Sequence, residues 1–292
     1  MSDKNRARKE FSLRPARSFA EWSDCQRLQR QVWGMNDLDL LPLHIIRVLA
    51  EGGGLVMNAY DKSGEAVGTS VSFPLHHDRK PILYSHMTGV VRAWQNKGVG
   101  LALKLAQRKF ALENGFDLIC WTYDPLRGQN NWFNLNKLGA IARTYYANYY
   151  GNLAARLYTG VDSDRFLVEW WVNSQRVKKR LGALRKTNPK PFLLKPQVVA
   201  NPTTIRNGVR TPVGKPNLAA NTKSILVEIP SDINQLRHRK ALAHSWRAGT
   251  RRLYVHYFES GYFATETMVD ELADRRTFVK LERGPLKRIL LN

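Results

Sequence analysis

Six consecutive residues, Gln95-Asn96-Lys97-Gly98-Val99-Gly100, set two spaced glycines between an extended apolar run and a helical one. A turn of this kind can bind an anion, because the first amides of a helix lack intrahelical acceptors and carry partial positive charge. Glycine at 98 and 100 lets a diphosphate approach those amides closely. Lys97 either adds charge or stays solvated, and a plain tight turn has the same composition, so the surrounding elements must decide. Other candidate groups lie further along the chain. Tyr145 and Tyr149 share a face by strand alternation. Arg247 and Arg251, four apart on one helical face, can hold a carboxylate or phosphate, or form a solvated basic face paired with Glu259 or Asp270.

The elements that must position these groups are readable. Phe19 to Trp33 has helical apolar spacing behind Ser18, a capping residue, and Pro42 to Glu51 reads as a second helix. Leu55 to Tyr60 and Val67 to Phe73 form a hairpin, a loop covers Pro74 to Pro81, and Ile82 to Val91 is a third strand running directly into the glycine turn. A periodic helix, Leu101 to Leu112, ends at Asn114-Gly115, and Phe116 to Tyr123 is an apolar run suited to a buried parallel strand. Asp124-Pro125 stops it. A short helix from Gln129 to Leu138 closes at Gly139, with strands expected at Ile141 to Tyr150 and Arg165 to Trp171. Near the C-terminus come a strand (Ser224 to Ile229), a long helix capped by Ser231 or Asp232 and running to about Phe258, and two further strands (Tyr262 to Met268, Thr277 to Leu281).

Charge divides the chain differently. Of the net +22, twelve units lie between residues 176 and 223, a stretch with no acid and six prolines, whereas residues 18 to 175 are nearly neutral. The basic stretch therefore reads as a mostly irregular linker. The expected organisation is a basic tail (1–17), a first domain (18–175), the linker (176–223) and a C-terminal strand-helix-strand-strand unit (224–292). Two cysteines, Cys25 and Cys120, are too few for a disulfide framework, and no metal site is expected. No apolar stretch is long enough to span a membrane and no signal peptide is evident, which predicts a cytoplasmic protein with no membrane partner.

Val90-Val91-Arg92-Ala93-Trp94 leading into Gln95-Asn96-Lys97-Gly98-Val99-Gly100 resembles motif A of the GNAT superfamily of acyl-CoA N-acyltransferases. The likeness continues through Asn114-Gly115-Phe116, Asp124-Pro125 and Asn136-Lys137-Leu138-Gly139-Ala140. The stretch from Asp124-Pro125-Leu126 to Ala140, then Tyr149-Tyr150-Gly151 and Asp164-Arg165, further resembles a bacterial GNAT subgroup with a C-terminal extension. The resemblance implies an α/β (α+β) GNAT fold, a mixed central sheet with flanking helices, splayed between the Ile82–Val91 and Phe116–Tyr123 strands. It implies acetyl-CoA or another acyl-CoA as cofactor. Its pantetheine arm would lie on Thr88, Gly89, Val90 and Val91, and its pyrophosphate on amides of Gln95, Asn96, Lys97, Gly98, Val99, Gly100 and Leu101. The backbone N–H near Val90 would polarise the thioester carbonyl.

Direct attack needs a neutral amine, and hence a base or proton path. His86 is nominated as base, with Asp124 beside it, a sheet histidine bonded to a carbonyl and a strand-ending turn residue being the competing roles. Where many members carry an acidic Tyr, this chain has Leu135, which leaves Tyr123, Tyr145, Tyr146, Tyr149 or Tyr150 as proton donor or as packing aromatics. Asn131 and Asn134 are placed to bond the pantetheine arm or acceptor, helix capping being the alternative for Asn131. The leading expectation is acetyl transfer to an amine of a small molecule or peptide by a monomer or homodimer. Two alternatives stand beside it: a nucleic-acid- or ribosome-associated protein using residues 176–223, and a catalytically silent acyl-CoA sensor.

Overall fold

A computed structural model describes residues 10–151, 162–183, 198–236, 238–270 and 275–291. The remainder of the expected tail and linker lies outside these residues. The chain divides into two compact units, Met1–Trp121 and Thr122–Asn292.

The first unit begins with a strand that the basic-tail reading overlooked, β1 (Phe11–Pro15), antiparallel to β2 (Leu55–Asp61). Its alternating Phe11 and Leu13 pack into the core while Ser12 and Arg14 face outward. Between the strands lie α1 (Phe19–Trp33) and α2 (Leu43–Glu51). A reciprocal box starts α1: Ser18 Oγ accepts from the Glu21 amide at 3.4 Å, and Glu21 accepts from the Ser18 amide at 3.1 Å. The sheet continues antiparallel through β3 (Ala66–His77) and β4 (Lys80–Val90). No loop covers Pro74 to Pro81. The strands run to a two-residue turn, Asp78-Arg79, with both φ values positive (48° and 62°). Pro74 is tolerated because β2 pairs with β3 only as far as Ser72.

Helix α3 (Val99–Glu113) starts two residues earlier than expected and leads to β5 (Leu118–Tyr123). Consecutive β2 residues face opposite cores. Val56 packs with Trp22, Cys25, Ile46, Val71 and Met87 under α1 and α2, whereas Leu55 and Met57 pack with Val99 and Leu103 of α3. β4 pairs with β5 in parallel at Leu83↔Ile119 and Tyr84↔Cys120 alone, so from Ser85 onward β4 has lost this partner. An antiparallel run feeding a parallel pair that then opens is the splayed mixed sheet the GNAT resemblance implies.

The second unit opens with a short helix, α4 (Gly128–Asn131), which widens into a π-helical turn, Trp132–Lys137, and stops at Gly139 (φ 72°). β6 (Ile141–Tyr146) and β7 (Arg165–Trp171) are antiparallel. The expected irregular linker contains regular structure: α5 (Gln175–Ala183), β8 (Val198–Val199) and a hairpin of β9 (Thr203–Arg206) and β10 (Val209–Pro212). The hairpin turns at Asn207-Gly208, both at positive φ, the pairing a tight hairpin needs. Then come β11 (Ser224–Ile229), α6 (Lys240–Glu259), β12 (Tyr262–Asp270), β13 (Arg276–Arg283) and α7 (Leu286–Ile289).

Ser231 and Asp232 do not cap α6. Asp232 caps a 3-10 turn, Ile233–Leu236, by accepting from the Asn234 amide, and α6 starts after Arg239. β12 joins β6 at Ala264↔Ala142, and the order within the unit runs β7-β6-β12-β13-β11-β8. The C-terminal strands therefore extend the β6/β7 sheet. Ala243, Trp246, Arg247, Thr250, Leu253, Tyr254 and Tyr257 form the buried stripe of α6 at spacings of three and four.

Candidate functional site

The turn after β4 is an open cradle of backbone donors. Gly98 caps α3 at φ 85°, and the first helical bond runs from the Ala102 amide to Gly98 O at 3.0 Å. The amides of Val99, Gly100 and Leu101 are left without an i−4 acceptor at the positive end of a fifteen-residue helix. Residues 95 to 98 are exposed beside the half-buried Trp94, and a Cβ at Gly98 would meet nothing within 4 Å among the described residues. Two side chains shape its rim. Gln95 Nε2 donates to Val90 O at 3.1 Å, and Lys97 Nζ lies 4.8 Å from the Trp94 ring centroid.

β4 leads from the cradle into the opened edge. The Val91 amide bonds Val67 O at 3.0 Å, so by antiparallel alternation Gly89 also faces β3, while Val90 and Thr88 turn their backbone groups toward the side that β5 has left. Of the four residues expected on the pantetheine arm, Val91 and Gly89 thus spend their main-chain donors inside the sheet. Gly89 has another reason to be glycine: a Cβ there would lie 2.5 Å from the Trp33 ring. Thr88 Oγ1, by contrast, is buried with no hydrogen-bond partner among the described residues, a group that a ligand in the opened edge would satisfy.

Next toward the fork comes a β-bulge. Val71 pairs with Met87 and Ser72 with Ser85, which leaves His86 as the extra residue. Its ring sits 6.0 Å from Phe73, and although more than a third of its surface is exposed, desolvation lowers its pKa from the ordinary histidine value. The shift keeps His86 neutral to a lower pH than an ordinary histidine and makes it a correspondingly weaker proton acceptor.

In the second unit the nominated polar residues are committed to one another. Asp124 and Arg247, each 5% exposed, form a bidentate pair at 2.7 and 3.0 Å, and Asp124 Oδ1 also accepts from the Leu126 amide. Burial would raise the Asp124 pKa, but the Arg247 guanidinium outweighs it and the net direction is down. A carboxylate so stabilised is a weak base, and Arg247 is spent on it rather than on a substrate. Arg251 bonds Asp164 through Nε at 2.8 Å and Asp162 through a terminal nitrogen at 2.6 Å, not Glu259 or Asp270. Tyr145 donates to the same Asp164 at 2.5 Å, and burial followed by that carboxylate raises its pKa strongly.

Tyr149 is exposed and packs edge-on against Tyr150. Asn131 accepts from Tyr123 and donates to Pro125 O, a bracing role for the strand end. Asn134 is buried, and its side-chain amide makes no hydrogen bond among the described residues.

Sequence reasoning missed one polar cluster in the first unit. Lys104 Nζ donates to Ser85 Oγ at 3.1 Å and lies 3.5 Å from the Trp121 ring centroid, with Gln107 Nε2 also donating to Ser85 at 3.0 Å. The signal in the chain was a pair of polar residues three apart, Lys104 and Gln107, among apolar ones on one helix face. Three arginines of the basic stretch are also committed: Arg176 is buried against Gly139 O and Thr265 O, Arg180 pairs with Glu266, and Arg210 with Glu228. Cys120 and Cys25 are buried thiols, and burial lifts the Cys25 pKa to about 11. No helix among the described residues is long and apolar enough to cross a membrane, and no cluster of His, Cys, Asp and Glu suited to a metal occurs among them.

No protein-family model matches the chain, and no curated protein matches it by sequence. Among solved structures it is similar to the ribosomal-protein-S18-alanine N-acetyltransferase from Escherichia coli (11% identity, 56% of this chain and 94% of that one, TM-score 0.45). It is similar also to an acetyltransferase of the GNAT family from Streptococcus pneumoniae (14%, 55% and 98%, 0.43). A third is an aminoglycoside acetyltransferase from an uncultured soil metagenomic sample (20%, 42% and 84%, 0.38).

Proposed function

We propose that this protein is an acyl-CoA-dependent N-acyltransferase that moves an acyl group, most simply acetyl, to an amine of a small molecule or peptide. The observation that carries the reading is the continuity of cradle and opened edge. Bare amides at the start of α3 follow directly on a strand whose parallel partner is lost after Tyr84. The amides of Val99, Gly100 and Leu101 would hold the pyrophosphate, and Thr88 and Val90 would pair with the pantetheine arm. The bound acyl-CoA supplies an activated thioester.

Within this reading the chain's residues divide the work. The Val90 N–H, facing the opened edge, is a fixed donor to the pantetheine arm that runs along this strand. His86, kept neutral by desolvation, accepts the proton that an attacking ammonium must lose. Acetyl-CoA is expected to raise the melting temperature by mass action, and Gly98→Asp to reduce the shift. Thiol release across an amine panel then separates transfer from binding alone. The absence of any stabilisation by coenzyme A or acetyl-CoA at millimolar concentration sinks the reading.

A further inference from the structure

We propose that Lys104 sets the length of the acyl group, its side chain forming a polar floor at the β4–β5 fork that admits acetyl and rejects longer alkyl chains. The inference rests on the acyl-CoA reading above and supplies what that reading leaves open.

The fork is defined by backbone pairing. Tyr84↔Cys120 is its last closed rung, so Ser85 on β4 and Trp121 on β5 are the first residues beyond it. Parallel rungs place them on one face of the sheet, the face that α3 covers. Lys104 reaches this point from α3 and touches both, through a 3.1 Å hydrogen bond to Ser85 and 3.5 Å from the Trp121 ring centroid. It is 2% exposed, as are Ser85 at 4% and Gln107 at 0%. The side chain therefore fills the fork rather than passing through it to solvent.

Direction along β4 makes this position the end of the line. The cradle lies beyond Val90 and the orphaned Thr88 hydroxyl two residues nearer the fork. Val90 to Ser85 spans about 15 Å at strand rise, reduced slightly by the bulge. An extended thioester arm anchored at the cradle and running down this edge presents its acyl end to Ser85 and Lys104. Each added methylene would have to displace or cover a buried amine and hydroxyl, which lose hydrogen-bonding capacity without return. Desolvation already pushes the lysine pKa well below its ordinary value, so the site holds the amine at a cost that a methionine of similar length would avoid. A purely structural filler has no use for that amine; a floor that discriminates against alkyl chains does.

The test is calorimetric binding of coenzyme A, acetyl-, propionyl- and butyryl-CoA to the full chain and to Lys104→Ala and Lys104→Met, with melting temperatures recorded for each. The wild type is expected to favour acetyl- over butyryl-CoA by at least about tenfold, the smallest discrimination a pocket makes for added methylenes. Lys104→Ala, which opens the fork, is expected to narrow that ratio by about tenfold, and Lys104→Met, which removes only the polarity, to narrow it in part. Coenzyme A affinity should stay constant throughout. If both variants bind coenzyme A normally yet keep the wild-type ratio, or if the wild type shows no preference, the inference is overturned while the acyl-CoA reading stands. Should the alanine variant fail to fold, the methionine variant decides alone. Failure of every ligand, including coenzyme A, to bind the wild type overturns the reading beneath it.

Discussion

Asp124 and Arg247 meet in a two-pronged ion pair across 123 residues of sequence, with both side chains nearly closed to solvent. Such a pair is held in place less by what it gains than by what either partner loses alone, since an unpaired charge at this depth costs about 3–5 kcal/mol. Asp124→Asn and Arg247→Met should each lower stability by that order in urea denaturation. The double substitution should recover much of the loss. A double mutant as unstable as the two single effects summed would show the pair to be energetically uncoupled.

The same pair carries a pH signature. The folded Asp124 pKa lies below its unfolded value, so its contribution is complete above about pH 4 and fades as pH falls through the folded value. Acid titration of wild type against Asp124→Asn should show a steeper acid limb for the wild type, with the two curves parallel at neutral pH.

At Gly98, two isosteric substitutions separate backbone from charge. The left-handed φ costs a non-glycine residue roughly 1–2 kcal/mol, least for Asn and Asp, and the open space around the Cβ leaves the fold intact. Gly98→Asn and Gly98→Asp should therefore melt alike. Acetyl-CoA affinity should be about tenfold weaker for the aspartate at 0.1 M salt, a gap that closes at 1 M, where the Debye length is about 3 Å. Equal affinities at low salt would mean that the diphosphate does not lie at this turn.

Thr88 and Ser70 are cross-strand partners, each with a buried hydroxyl lacking a hydrogen-bond partner. Replacing such a group by an apolar isostere relieves an unsatisfied polar atom, worth about 1–3 kcal/mol. Thr88→Val and Ser70→Ala should each leave the free protein as stable or more so. Only Thr88→Val should reduce the melting shift given by acetyl-CoA. An unchanged shift would remove Thr88 from the ligand's contacts.

His86 makes a kinetic prediction with a definite sign. Its pKa lies below the ordinary value of about 6.5, so the neutral base dominates at pH 7. Protonation is disfavoured in the folded state, hence its contribution to stability is present above about pH 6.5 and is lost as pH falls. The logarithm of kcat/KM, followed against an amine acceptor, should carry a step below pH 6.5 that His86→Ala abolishes. A step that survives the substitution assigns the base elsewhere.

The parts of this architecture that were legible from residues alone are those fixed by local chemistry. Ser18 announces α1, and Gly98 with Gly100 announce the cradle, because caps and left-handed turns depend on neighbours a few residues away. β1 was hidden by its charged surroundings, although its apolar alternation was visible, and the Asn207-Gly208 hairpin was masked by the prolines around it. For Arg247 and Arg251 the residues alone leave a ligand and a nearby acid, Glu259 or Asp270, as alternatives, because helical spacing says which residues share a face and nothing about what lies opposite. Their carboxylates come from 123 and 87 residues away. The role of Lys104 is not legible for the same reason: only the docking of α3 on β4 and β5 makes it an interior residue.

The pairing of β12 with β6 bears on how far this protein can be shortened. Residues 224–292 are not an appendage that can be trimmed from a self-sufficient core, because they cover the flank of the strand at Ile141–Tyr146. A chain ended after residue 175 would bare that flank's main-chain donors and acceptors and also forfeit Arg176, which ties Gly139 to Thr265. Such a fragment would be driven to pair with copies of itself, and light scattering on it should report self-association where the intact chain stays dispersed.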